Sequence, residues 1–284
     1  MSLAATGRAI VFRLGADLAV TNREAEYGQL LRAARDLGYR IVTVAELWDR
    51  REAARGERLL AIRHDVDIRN AAGNAMFLRV ELAHGAKATS YFRRWTTAAH
   101  AAHIERLHAA GFEVGYHFEE AATVAKELGL TTREAVLEQR ERIRDRFAAN
   151  CAEFRQRWSP EMRSVSSHGD WVNRRLGFVN NEFLDAELRE RCGLDFEAYD
   201  EPLMAAADVY VSDVAAPPRA GRTATAWATR CETAARPSTS LPTSASGTAT
   251  RSRRRRRTST ASSTIWRFGG EPAPDVPATA APGT

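Results

Sequence analysis

Residues 59–67 read LLAIRHDVD. Leu59 to Ile62 is the apolar run of a buried strand. A cation (Arg63), an imidazole (His64) and two carboxylates (Asp65 and Asp67) follow within five residues. A buried strand that ends in such a cluster carries charge to the rim of a sheet, where water and ligands reach it. Two later stretches repeat the pattern, with His117 in GYHFEE and His168 in SSHGD. The three stretches are expected to build one metal site.

Outward from this centre the chain alternates strand and helix. Strands are expected at 9–14, 40–44, 59–63, 88–92, 113–118 and 164–167, with short ones at 194–196 and 209–211. Between them lie an amphipathic helix over 23–38 and further helices over 46–54, 71–83, 98–110 and 133–154. Thr131 and Glu134 suit a capping box for the last. The repeat of about 25 residues is that of βα units on a parallel sheet, so the fold class is α/β. Asp65, Asp67, Arg93, His117 and His168 all fall just after strands. In a barrel of βα units those C-terminal strand ends face the active site.

The net charge of +5 is unevenly placed. Residues 1–214 hold 30 Lys+Arg against 33 Asp+Glu, whereas 215–284 hold 11 Arg, no Lys and 3 acids, so the high pI belongs to the tail. The tail is Ala, Thr, Ser, Pro, Gly and Arg without a period. Too little apolar surface is there to offset ordering entropy, and the tail is expected to be disordered. These residue types share GC-rich codons and the change after VYVSD is abrupt, which raises a frameshift as the tail's origin. Reading the other two frames past Asp213 tests that. The Arg253–Arg257 run suits nucleic acid or an anionic surface, or is a solvated cationic tail; nucleic acid is otherwise not an expected partner. Two regions are therefore expected, a βα domain over 1–214 and the tail. Three cysteines without metal spacing, an interrupted apolar N-terminus and no long apolar run point to a cytoplasmic protein without a membrane span.

Two carboxylates as close as Asp65 and Asp67 should not both stay ionised and unpaired in a partly buried site. A divalent cation relieves this: one ligates it, and the other takes a proton from water activated there. The alternative is an Asp pair at a turn, bridged to Arg63 or Arg69. His117, beside Glu119 and Glu120, is either a ligand or a half-buried structural histidine. Gly169 after His168 permits close backbone approach to a ligand. Asp, His and His with an open position is a catalytic zinc-type ligand set. Arg93 suits a substrate oxygen or an active-site carboxylate. His84, His100, His103 and His108 read as structural or exposed.

RHDVD, ATSYFR, LHAAGFEVGYHFE and the later SHG, in that order, resemble the polysaccharide deacetylase superfamily (NodB-homology, carbohydrate esterase 4-like), and more closely its RHDVD deacetylase-like branch. The resemblance covers about residues 10–213 and rests on the ordered set of motifs. It implies a distorted, incomplete (β/α) barrel, a divalent metal, usually zinc, and removal of N-acetyl groups from sugars. Asp65 then matches the catalytic base, and Asp67 and His117 match metal ligands. The family's second metal histidine falls at Ala121 here, which leaves His168, or else Glu119, to complete the site. His168 and Gly169 lie where the family makes substrate and oxyanion contacts. Asn173 and Arg174 match the branch's Asn-Arg pair, placed with the substrate. The family's late histidine, its general acid, has no counterpart, since no histidine follows His168. Other readings are hydrolysis of a non-sugar amide, or an inactive barrel that binds through its arginine tail. The expected partner is a small-molecule or oligosaccharide substrate.

Overall fold

A computed structural model describes residues 23–52, 57–69, 71–207, 209–212 and 262–268. The strand expected at 9–14 and the Arg253–Arg257 run lie outside the described residues. Strand β2 (Leu59–Val66) is buried along its whole length. That requires neighbours on both edges and layers on both faces. It runs three residues past Arg63, so Arg63, His64 and Asp65 lie inside the strand. Alternation sends Arg63 and Asp65 to one face and His64 to the other.

Strands β1 (Arg40–Val42) and β3 (Thr89–Phe92) pair in parallel with successive stretches of β2, residues 59–61 and 63–66. The parallel order continues through β4 (Glu113–Phe118), β5 (Ser164–Ser167) and β6 (Phe196–Glu197). Strand β8 (Ser262–Phe268) runs antiparallel to both β2 and β7 (Val209–Ser212). The sheet is thus β6–β5–β4–β3–β2–β8–β7, with β1 beside β2. The α/β class holds, and the six parallel strands do not close into a barrel. The expectation of a disordered tail fails over 262–268. SSTIWRF is the one stretch of the tail with Ile, Trp and Phe close together, and it supplies a strand.

Although open, the sheet is cupped. Three strands separate β2 from β6, which in a flat sheet would set them about 19 Å apart. Arg63 Nη2 on β2 nevertheless donates to the hydroxyl of Tyr199, two residues past β6. Tyr91 likewise reaches from β3 over β4 to Ser164 on β5, 2.8 Å hydroxyl to hydroxyl. Gly115 of β4 lies beneath the Tyr91 ring, where a Cβ would meet it at 2.4 Å. The floor of the cup is filled by Val42, Leu47, Leu59, Ala61, Tyr91 and Phe196. Trp48 of helix α2 (Val44–Arg50) stacks on Phe196 at 4.8 Å between ring centroids.

Helices α1 (Arg23–Asp36), α3 (Ala71–Ala83) and α4 (Ala101–Ala109) cover the convex face. The main core there includes Leu31, Leu60, Ile62, Phe92, Tyr116 and Phe154. The chain then forms α5 (Glu120–Glu127), α6 (Arg133–Glu138) and α7 (Arg140–Arg157). The single helix expected over 133–154 is two, interrupted at Gln139 (φ −91°, ψ 15°). Its cap is Thr132 rather than Thr131: the Thr132 side chain accepts from the Ala135 amide. Helices α8 (Trp171–Leu176), α9 (Ala186–Cys192) and α10 (Glu201–Ala206) complete the described helices. No helix among the described residues is long and apolar enough to cross a membrane.

Candidate metal centre

Asp67 follows β2, His117 ends β4 and His168 follows β5, and the fold brings the three together as expected. His117 Nε2 lies 3.5 Å from Asp67 Oδ1. His168 Nδ1 lies 3.2 Å from the same oxygen and 3.1 Å from His117 Nε2. The edge of a tetrahedron with metal–ligand bonds of 2.0–2.1 Å is about 3.3 Å. The three atoms therefore form a triangle of the size that one face of a tetrahedral zinc site needs. Among the described residues Asp67 Oδ1 is buried without a well-aligned hydrogen-bond donor, its near polar neighbours being the two imidazole nitrogens. A buried carboxylate oxygen without a donor is what a cation would satisfy.

The protonation pattern fits the same role. His117 Nδ1 lies 2.9 Å from the Ser166 carbonyl, which can only accept. The ring proton therefore sits on Nδ1 and Nε2 presents its lone pair to the triangle, as in a ligand oriented by its outer hydrogen bond. Burial lowers the pKa of His117 against the opposing pull of Asp65 and Asp67, which favours the neutral ring. For Asp67, burial pushes the carboxyl up, but His168, His117 and Arg93 together hold it below the usual range.

No family model, curated protein or solved structure matches this chain. The functional reading rests on this geometry and on the ordered motifs.

Asp65 is not one of the converging ligands. Its Oδ2 accepts from Arg63 Nη2 at 3.0 Å, and its Oδ1 is buried without a hydrogen-bond partner among the described residues. One carboxylate thus faces the ligand triangle, and the other is salt-bridged beside it. Glu119 lies near His168 and Asp170. Both its oxygens, however, are held in a fork by Arg93. That makes Glu119 the partner of Arg93 and occupies the groups the sequence offered as an alternative ligand and a substrate contact. Ala121 is buried in the first turn of α5.

The loop after β5 departs from expectation. The His168 amide donates to the Phe118 carbonyl at 2.8 Å, so it cannot serve an oxyanion. A Cβ on Gly169 would meet nothing within 4 Å among the described residues. Asn173 closes a capping box, accepting from the Asp170 amide at 2.8 Å. It is buried at the start of α8, where its side-chain oxygen serves the helix cap, while Arg174 is exposed.

Several residues that position the site had no signal in the motifs. Asn180 donates to the His168 carbonyl at 2.6 Å and accepts from the Ala122 amide at 3.0 Å, tying the His168 loop to α5. His100 Nε2 contacts the Ile68 carbonyl at 2.9 Å and fixes the chain just past Asp67. Glu197 accepts from the amides of Ser167 and Tyr199, each at 2.7 Å, and so joins two loops of the rim. Burial pushes the Glu197 carboxyl up to about 7, against those two donors and Arg63. A raised carboxyl contributes stability below its unfolded pKa and loses it as pH rises through the folded value. Between pH 4.5 and 7.5 the wild type should lose up to about 3 kcal/mol more unfolding free energy than Glu197→Gln. Urea titrations across that range check this, and parallel pH profiles would refute it.

Proposed function

We propose that the chain is a metal-dependent hydrolase of amides, with the N-acetyl group of a sugar as its leading substrate and zinc as the leading metal. The ligand triangle of Asp67, His117 and His168 carries this reading. An open cupped sheet with its polar groups at the C-terminal strand ends is compatible with the incomplete barrel that the motifs imply. A divalent cation held by these three residues would supply Lewis acidity toward an acyl oxygen and toward water.

The remaining work falls to protein groups. Asp65, held by Arg63 and carrying one buried oxygen that no donor among the described residues reaches, is placed to take a proton from the attacking water. Arg93 holds Glu119 and so keeps a competing carboxylate away from the triangle. Trp95 and Trp171 are 41% and 42% exposed and follow Arg93 and His168 closely in the chain. Arg69 and Arg93 lie over the Trp95 ring and Arg175 over the Trp171 ring, so these indoles are shared with cations and the preference for a sugar rests on the motifs.

Acetate release from N-acetylhexosamine compounds tests the reading. The wild type should release acetate only with a divalent metal. Asp65→Asn should lower kcat by about 10²-fold or more while retaining the metal. Activity in Asp65→Asn equal to that of the wild type would remove Asp65 as the base. No metal-dependent release from any N-acetyl compound would remove the deacetylase reading.

A further inference from the structure

Hydrolysis of an amide has a second proton requirement. When the C–N bond breaks, the electron pair goes to nitrogen, and an alkylamine leaves only if that nitrogen is protonated. We infer that Tyr199 is the group that protonates the leaving amine, an assignment that rests on the amidase reading above.

Three features place it there. Tyr199 follows β6 at the same end of the sheet as Asp67, His117 and His168. Its amide is held by Glu197, whose other oxygen holds the Ser167 amide next to His168, so a single carboxyl sets the spacing of the Tyr199 and His168 loops. Its hydroxyl accepts from Arg63 Nη2, the nitrogen that also holds Asp65 Oδ2 at 3.0 Å. Tyr199 is only partly buried, whereas Arg63 is 1% exposed. Of Arg63, Asp65 and Tyr199, Tyr199 is thus the member of this network that is partly exposed and carries a hydroxyl proton.

Arg63 explains why a phenol can do this. A buried guanidinium that donates to the phenol oxygen stabilises the negative charge left behind when the proton departs. Its carbon also lies 4.4 Å from the centre of the Tyr199 ring, which fixes the ring against a rigid cation. In the step itself the C–N bond breaks and nitrogen takes the hydroxyl proton of Tyr199. The phenolate paired with Arg63 then recovers a proton from solvent. Nothing is oxidised or reduced.

Tyr199→Phe tests the assignment on two substrates with different leaving groups. On an N-acetylhexosamine the variant should lose about 10²-fold or more in kcat. On 4-nitrophenyl acetate, whose leaving phenolate needs no proton, the metal-dependent rate should stay within a few-fold of the wild type. Metal content equal to that of the wild type shows that the variant has folded and kept its site. Equal losses on both substrates, or no loss on the amide, overturn the assignment while leaving the amidase reading in place. A wild type that cleaves neither compound overturns the amidase reading, and the Tyr199 assignment with it.

Discussion

Asp67→Ala is expected to abolish metal retention by the purified protein. The wild type should carry close to one divalent ion per chain by plasma mass spectrometry, and the variant essentially none. Asp67 supplies the only anionic atom in the triangle, and its Oδ1 lies 3.2 and 3.5 Å from the two imidazole nitrogens. Losing a charged member of a three-ligand set should weaken binding by about 10³-fold or more, roughly 4 kcal/mol. That exceeds the 10- to 100-fold typical of outer-shell changes. Removing the side chain should leave the fold intact, because it is 28% exposed and extends from a strand end rather than into the core. An unchanged circular dichroism spectrum with lost metal is therefore the expected pair of results. Stoichiometric metal in Asp67→Ala would place the ion elsewhere, and a metal-free wild type would sink the metal-site reading.

The second large effect is on stability. Gly115→Ala should destabilise the protein by about 3 kcal/mol. A Cβ there would stand 2.4 and 2.5 Å from Tyr91 ring carbons and 3.0 Å from the Ser164 carbonyl oxygen. The ring has nowhere to go, since Tyr91 is fully buried and its hydroxyl is held by Ser164. Glycine is required here for space, because the Tyr91 ring must cross β4 to span the cup. In a Tyr91→Leu background the same substitution should cost at least about 1 kcal/mol less, because the two positions share one volume. Urea unfolding of the four proteins measures the cycle. Equal penalties in both backgrounds would show that the ring is not what excludes the methyl group.

The parts of this site that were legible in the sequence are those written along single strands. The apolar run before Asp65 and Asp67, and the histidines in GYHFEE and SSHGD, announce strand ends, and the parallel order of β2, β4 and β5 puts those ends on one rim. Periodicity cannot show how a sheet bends. The contact between Arg63 and Tyr199 joins residues 136 apart and exists only because the sheet is cupped. Asn173 and Asn180 were equally opaque, since an asparagine that caps a helix or ties a loop looks like one that meets a substrate. The helix break at Gln139 has no proline or glycine to mark it. The motifs likewise could not show that Arg93 and Glu119 satisfy each other.

The pairing of β8 with β2 has a consequence for how the protein is made. Residues 59–65 find their antiparallel partners about 200 residues later in the chain. At a synthesis rate of about 5–20 residues per second, that edge of β2 stands bare for roughly 10–40 s after it leaves the ribosome. An unpaired, wholly apolar-to-charged strand edge is a template for pairing with another chain. The nascent protein thus passes through an interval in which the strand that bears Asp65 has one edge without its partner strand. A chaperone that holds exposed strands during synthesis should raise the soluble yield of the full chain more than it speeds refolding of the finished one.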